Sequence, residues 1–238
     1  MERVTTVVTC MTDAERPYLL DALTSVQRQT EPTRTILCIE DHNDWAEQVV
    51  TGLAAVDILR LSLAPSGEVR NQALAHVETE FVAFLDGDDS WHPHKLSLQL
   101  KAVERKGLDV IATRHLLVRE DGTPYFFGFA KDVPMPSSWL GRTTVFLERP
   151  FADVRIAEDV LLWRQLQQET RWDVLGRFLI RYRVREGSLS SMTWSKKRKL
   201  AYAHLSERTG MRPLLLAGSY AANLALSAQS AMRRRSAR

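Results

Sequence analysis

FVAFLDGDDSW, residues 81–91, is the stretch on which the reading of the fold turns. Residues 81–85 form a continuous apolar run of strand length, the pattern of a strand covered on both faces. The run stops at Asp86, Asp88 and Asp89, with only Gly87 among them. Carboxylates this close repel one another, so the arrangement calls for a positive charge. A hard divalent cation is one answer. Mg²⁺ and Mn²⁺ take oxygen ligands, usually one or two carboxylates completed by phosphate oxygens and water. Gly87 lets the backbone come close to a ligand. A competing reading is a turn in which Asp89 or Ser90 caps the helix after Pro93. Capping accounts for one aspartate, not three, and the cluster therefore predicts metal–diphosphate binding.

Outward from this point, strand-like and helix-like segments alternate. Before it come β-rich Val4–Cys10, a helical spacing over 18–29 with Pro17 at its first turn, and a strand over 35–39 ending in Glu40-Asp41. A helix over 45–55, a strand over 56–61 and a helix over 68–77 lead into the apolar run, and a helix over 93–105 follows it. This order implies a parallel sheet with helices on both faces, and in such sheets ligands bind beyond the carboxyl ends of the strands. Both acidic groups stand at such ends. After residue 107 the pattern changes to a hairpin over 110–118 and 125–129, a strand over 143–147, a helix over 157–168, and strands over 172–175 and 178–184. The expected class is α/β: a mixed, mainly parallel sheet flanked by helices, with a C-terminal helical appendage. The expected domain is 1–194, with a nucleotide-binding half to 107 and an acceptor half from 108, followed by a basic extension over 195–238.

Composition is that of a globular chain, 238 residues with 45% hydrophobic and 26% charged. Two cysteines, Cys10 and Cys38, lie in apolar runs and read as buried thiols. The opening MERVTTVVTCM lacks the features of a secretory leader, and no stretch reaches the roughly 20 apolar residues of a membrane span, so a cytoplasmic location is expected. Net charge +3 conceals an asymmetry: residues 195–238 carry +9 and the rest −6. The acidic domain argues against a nucleic-acid partner. Residues 214–232 hold neither proline nor charge, with serines and Asn223 on one helical face and alanines and leucines on the other. Two readings stand for this tail: peripheral contact with an anionic leaflet, or packing on the domain or on a second copy as a homodimer helix.

At FVAFLDGDDSWHPHKLSLQL the chain resembles family 2 glycosyltransferases of the GT-A fold, whose DxD segment this is similar to. The segments YLLDALTSVQRQT, ILCIED, SGEVRNQAL, AEDVLLWRQL and YRVREGSLS resemble further family segments in the family's order, over about residues 4–192. The resemblance implies an inverting transferase that moves a sugar from a nucleotide-sugar donor, by default a UDP-sugar, to a hydroxyl of a glycan or lipid-linked acceptor in polysaccharide or other glycoconjugate biosynthesis. It implies Glu40 and Asp41 at the base or ribose, Arg70 near the nucleotide, and Asp86 and Asp88 as the DxD acids, Asp86 toward the ribose or the metal and Asp88 on Mn²⁺ or Mg²⁺. It also implies Arg183 and Arg185 beside the diphosphate, Asp159 as general base and Glu158 on the acceptor side.

The chemistry agrees. Transfer needs a stabilised leaving group and a base for the acceptor hydroxyl, and Asp159 stands at a predicted helix N-terminus, where a carboxylate is stabilised. The chain departs from the family pattern at Thr9-Cys10-Met11-Thr12, at Glu40-Asp41-His42-Asn43, and at Arg185, where histidine is common; arginine does not ligate metal but grips phosphate. His92 and His94 read as helix-start residues, and the tryptophans as core, with Trp139 and Trp163 as sugar-stacking alternatives. A nucleotidyltransferase would want a glycine-rich loop after the first strand, which MTDAERPY lacks. A catalytically degenerate homologue is disfavoured by intact DGDD and ED segments.

Overall fold

The computed structural model describes residues 2–128 and 133–185. The expected 195–238 extension lies outside them. The central strand is β1 (Val4–Cys10), all seven residues of which are buried. Three threonines sit in it without penalty because each hydroxyl is bonded: Thr5 to the Thr79 hydroxyl at 2.8 Å, Thr6 to that of Thr33 at 2.9 Å, and Thr9 to Asp86. On one side of β1 lie β2 (Thr33–Glu40) and then β3 (Val56–Leu61); on the other lies β4 (Phe81–Asp86). All these pairings are parallel. The crossovers carry α1 (Leu19–Gln27), α2 (Trp45–Val50) and α3 (Ser66–Leu74).

Beyond β4 come the two-residue β5 (Ser90–Trp91), α4 (Lys95–Lys106), β6 (Val110–Val118), β7 (Pro124–Phe127), β8 (Leu140–Arg142), α5 (Thr143–Glu148), α6 (Glu158–Glu169) and β9 (Trp172–Arg183). The sheet runs β3-β2-β1-β4-β8-β6-β9-β5 with β7 paired to β6, and β8 is antiparallel to both β4 and β6. The mixed, mainly parallel sheet with flanking helices is the one expected.

Two local expectations are corrected, and the competing capping reading is set aside. Residues 143–147, read as a strand for their β-branched content, form α5. Its first residue is tied down by Thr143 N to Glu80 O at 3.0 Å and Thr143 Oγ1 to Thr79 O at 2.8 Å, and the sheet position is taken by β8 instead. The break expected near Gly176 does not occur; β9 runs through it, with open space where a side chain would stand. Neither Asp89 nor Ser90 caps α4. His94 occupies that N-cap, and its ring meets the Thr30 hydroxyl at 3.2 Å. Trp139 and Trp163 are fully buried 5.3 Å apart, Trp139 stacking on Phe146 and Phe151, so they are core and not a sugar platform. Cys10 and Cys38 are buried thiols outside any disulfide, and burial pushes Cys38 up to about 12. Among the described residues, no helix is long and apolar enough to cross a membrane.

By compactness the chain forms two units, residues 1–114 with 132–180, and residues 115–131 with 181 onward. The division of roles expected at residue 107 falls inside the first. In the second, β7 pairs antiparallel with the end of β6, and the His115 ring meets Tyr182 edge-on at 5.9 Å. A side chain at Gly128 would strike that imidazole at 2.3 Å.

In the first unit, the entry to β6 is clasped to the entry to β9. Asp109 accepts from Arg171 Nη2 at 3.0 Å, Nε at 3.2 Å and the backbone N at 2.9 Å. The Arg171 guanidinium holds the Asp109 carboxyl below its ordinary value. The native state therefore binds that proton less readily than the unfolded chain does. The pair's contribution is complete above about pH 4 and is lost as pH falls through the native value. Asp109→Asn is expected to cost on the order of 1 kcal/mol at pH 7 and to flatten the acid limb of stability against pH. Denaturant unfolding at a series of pH values measures both; an unchanged acid limb refutes the assignment.

Candidate active site

The site is assembled by α3. Its first turn carries Gly67, whose missing side chain admits α6: a Cβ there would lie 2.9 Å from Glu158 Cγ and 3.0 Å from Phe151 Cβ. One turn on, Asn71 exchanges two 2.9 Å hydrogen bonds with the backbone of Phe151 and so fixes the segment that leads into α6. Between them stands Arg70, only 3% exposed. Its Nη2 donates to Asp86 Oδ1 at 2.5 Å, its Nη1 to Glu158 Oε1 at 3.5 Å, and its guanidinium lies 5.4 Å from the centre of the Phe151 ring. Arg70 Nε has no hydrogen-bond partner among the described residues. Burial pulls this guanidinium's pKa down; the charges of Asp86, Glu158 and Asp159 outweigh that and raise it. The positive charge that the acidic strand end calls for is thus supplied, for Asp86, by the protein itself.

Asp86 is held at every point but one. Its N–H donates to Ser137 Oγ at 3.2 Å, and Oδ1 also accepts from Thr9 Oγ1 at 3.1 Å. Its side chain is 29% exposed, and Oδ2 accepts no hydrogen bond from the described residues. Gly87 is needed for packing: a Cβ would meet Thr9 O and Cys10 Cβ at 3.0 Å. The turn closes through Gly87 N to Thr9 O at 2.8 Å and Asp89 N to Asp86 O at 2.9 Å. Asp88 is half-buried and Asp89 buried. Two hard carboxylates one residue apart, with one oxygen open, fit Mg²⁺ or Mn²⁺ in a site completed by phosphate oxygens and water. Among the described residues no group of three or more His, Cys, Asp or Glu is placed to hold a metal by itself.

Glu158 and Asp159 open α6, where the N-terminal partial positive charge favours carboxylates. Burial raises the Glu158 carboxyl, with Arg70 opposing. The residue before them, Ala157, is left-handed at φ 72°. That conformation costs a non-glycine residue about 1–2 kcal/mol and aims the pair that follows. Ala157→Val is expected to destabilise by about 2 kcal/mol or more, because a β-branched residue tolerates positive φ worst, whereas Ala157→Gly stays within about 1 kcal/mol of wild type. Equal midpoints for the two variants in denaturant unfolding refute the strain.

The second-strand acids are placed differently from one another. Glu40 turns back on His42, accepting from its backbone N at 3.0 Å and meeting Nδ1 at 2.8 Å, which lowers Glu40 and raises the His42 imidazole. Asp41 is exposed. It receives Ser62 Oγ at 3.2 Å, while Arg60 bonds its carbonyl at 2.7 Å. In the second unit, Arg183 Nη1 donates to the carbonyls of Glu120 and Arg119, at 2.5 and 3.4 Å, and Arg185 is half-buried. The structure thus brings Arg70, Asp86 and Glu158 into contact, with Asp159 alongside. Glu40 and Asp41 stand apart at the end of β2. Sequence reasoning missed Gly67, Asn71, Thr9 and Ser137. The first two lie in SGEVRNQAL, where a glycine and an asparagine within a helix are the signal for close packing and backbone pinning.

The sequence profile of glycosyl transferase family 2 matches residues 6–150, and the chain belongs to that family. TuaG of Bacillus subtilis, whose name places it provisionally in teichuronic acid biosynthesis, is 26% identical over 79% of this chain and 82% of its own. WfgD of Escherichia coli, named as a UDP-Glc:alpha-D-GlcNAc-diphosphoundecaprenol beta-1,3-glucosyltransferase, is 24% identical over 71% of this chain and 73% of its own. Among solved structures, S. aureus TarS residues 1–349 with UDP superimposes at TM-score 0.65 and 20% identity, over 77% of this chain and 61% of that one. The mannosyltransferase PcManGT of Pyrobaculum calidifontis, with GDP-Man and Mn²⁺, gives 0.65 at 16% identity over 99% and 79%. These two likenesses establish the GT-A fold.

Proposed function

We propose that the protein is an inverting, metal-dependent glycosyltransferase that uses a nucleotide-sugar donor and a hydroxyl acceptor. The observation that carries this reading is that one buried guanidinium, Arg70, meets both Asp86 at the end of β4 and Glu158 at the start of α6. Donor-side and acceptor-side acids therefore share one locus.

Asp86 and Asp88 would hold Mn²⁺ or Mg²⁺, which when bound neutralises charge on the departing diphosphate. Asp41, exposed at the end of β2, accepts from the base or ribose, and Glu40 with His42 shapes the same rim. Arg70 contributes its charge to the donor side through Asp86. Arg183 and Arg185 are carried forward as diphosphate contacts on residue type, since a guanidinium fork matches phosphate oxygens. Asp159 takes the proton from the acceptor hydroxyl. The new C–O bond forms at the anomeric carbon as the bond to the diphosphate breaks, and the nucleoside diphosphate leaves with the electron pair. Attack from the face opposite the leaving group inverts the configuration. Glu158 lines the acceptor side.

The UDP-linked donors in the names of WfgD and of TarS complexes make a UDP-sugar the first donor to try. The diphosphoundecaprenol acceptor of WfgD makes a lipid-linked glycan at the cytoplasmic leaflet the first acceptor. The basic 195–238 segment is a proposed membrane or dimer contact. Slow donor hydrolysis with Mn²⁺ across UDP-, GDP- and dTDP-sugars, beside thermal shifts with the three nucleotides, tests the reading. Release from one nucleotide class supports it. No release and no shift with any of them refutes it.

A further inference from the structure

Arg70 is an unusual cation. A guanidinium carries five N–H donors; here, at 3% exposure, one bond is short, one is 3.5 Å long, and Nε has no partner among the described residues. It is held in place by its own helix, by the Phe151 ring and by the Gly67 gap that lets Glu158 approach. Its charge faces two carboxylates that belong to opposite halves of the reaction.

We propose that Arg70 is a positioning residue and not a nucleotide contact: it is a resident counter-cation on Asp86 with which an arriving divalent ion must share that carboxylate, so that donor binding at β4 is coupled to the placement of Glu158 and Asp159. The inference rests on the metal-dependent reading above. Its logic is electrostatic. Arg70, with the Thr9 hydroxyl, holds Asp86 Oδ1 and leaves Oδ2 for the incoming ion. Once a divalent charge neutralises Asp86, the guanidinium's attraction shifts toward Glu158, where the 3.5 Å contact has room to shorten. Glu158 is drawn onto α3, and Asp159 with it. A buried arginine between two acids also prevents the two carboxylate-bearing elements from repelling each other before the donor arrives.

The proposal fixes the sign of an effect. A positive charge beside the metal site opposes Mn²⁺, so removing it strengthens metal binding, whereas removing a nucleotide ligand weakens nucleotide binding. The test uses the full chain and titrates Mn²⁺ without nucleotide, by the spin-resonance signal of the free ion, and UDP without metal, by calorimetry. Arg70→Met is expected to bind Mn²⁺ on the order of tenfold more tightly than wild type, the effect of one unit charge on a divalent ion at roughly 5 Å in a water-like dielectric. Metal-free UDP affinity is expected to stay within about twofold, and transfer to fall. Unchanged or weaker Mn²⁺ binding by the variant, or loss of metal-free UDP binding, overturns the proposal. If Arg70→Met does not fold, Arg70→Lys, which keeps the charge, carries the test: both affinities are expected within about twofold of wild type, and a fall in metal-free UDP binding overturns it. Wild-type protein that binds no Mn²⁺ even with UDP present refutes the metal-dependent reading itself, and this inference with it.

Discussion

Asp159→Asn is expected to lower glycosyl transfer by roughly 10²–10⁴-fold, the usual contribution of general-base catalysis, while leaving donor affinity and stability nearly unchanged. The substitution keeps the shape of the side chain and removes only its capacity to take a proton. Asp159 is the second residue of α6 and its Oδ1 accepts from Val160 N at 2.8 Å, a bond that an amide oxygen can replace. On the proposed donor side, Arg70 bonds Asp86 and Glu158, not Asp159. The competing view is that Asp159 merely favours the helix start. That role is worth about 0.3–1 kcal/mol of stability and nothing in turnover. Initial rates at saturating acceptor, set beside calorimetry with the donor nucleotide, separate the two. A wild-type rate with a lowered unfolding midpoint assigns Asp159 to the helix alone.

The positions of the site acids were legible because strand ends are. Apolar runs of strand length at 35–39 and 81–85 locate the carboxyl edge of the sheet, and Glu40, Asp41, Asp86 and Asp88 follow them directly. The parallel order followed from the alternation of those runs with helical spacings. What connects the acids was not legible. Arg70 reads in sequence as one charged residue in a helix of low amphipathicity. Its burial follows from Gly67 and Asn71, which bring α6 and Phe151 onto the same helix from 80 or more residues away. Lys95 and Gln99 escaped for a related reason. Both are fully buried on the face of α4 that carries Leu96 and Leu100, although polar residues signal a solvent face. Their partners are carbonyls: Lys95 Nζ reaches Trp139 O at 3.3 Å and lies 3.8 Å from the centre of the Trp91 ring, and Gln99 bonds the carbonyls of Ile111 and Ser138. Burial alone holds the Lys95 ammonium well below its ordinary pKa. Strand β8 was missed because three residues carry no periodicity, and the β-branched Thr-Thr-Val beside it drew the strand assignment to α5.

Asp88→Ala is expected to abolish the gain in UDP affinity that Mn²⁺ confers, with the fold intact. Asp86 is the poorer residue for this test, although it stands in the same turn. Removing Asp86 strips Arg70 of its shortest bond and leaves a buried cation with only the 3.5 Å contact to Glu158, a change that costs several kcal/mol in comparable buried pairs. A loss of nucleotide binding there would report on the fold as much as on the metal. Asp88 follows Gly87 in the turn and lies outside Arg70's hydrogen bonds, so its carboxylate can be deleted without uncovering that charge. Like charges crowd this turn, and deleting one relieves repulsion, so the unfolding midpoint is expected to hold or rise slightly. Calorimetry with UDP, with and without Mn²⁺, supplies the measurement. Wild type should bind more tightly with the ion, and Asp88→Ala should bind equally with and without it. A variant that keeps the full Mn²⁺-dependent gain removes Asp88 from the metal site and leaves DGDD as a tight turn whose single functional acid is Asp86.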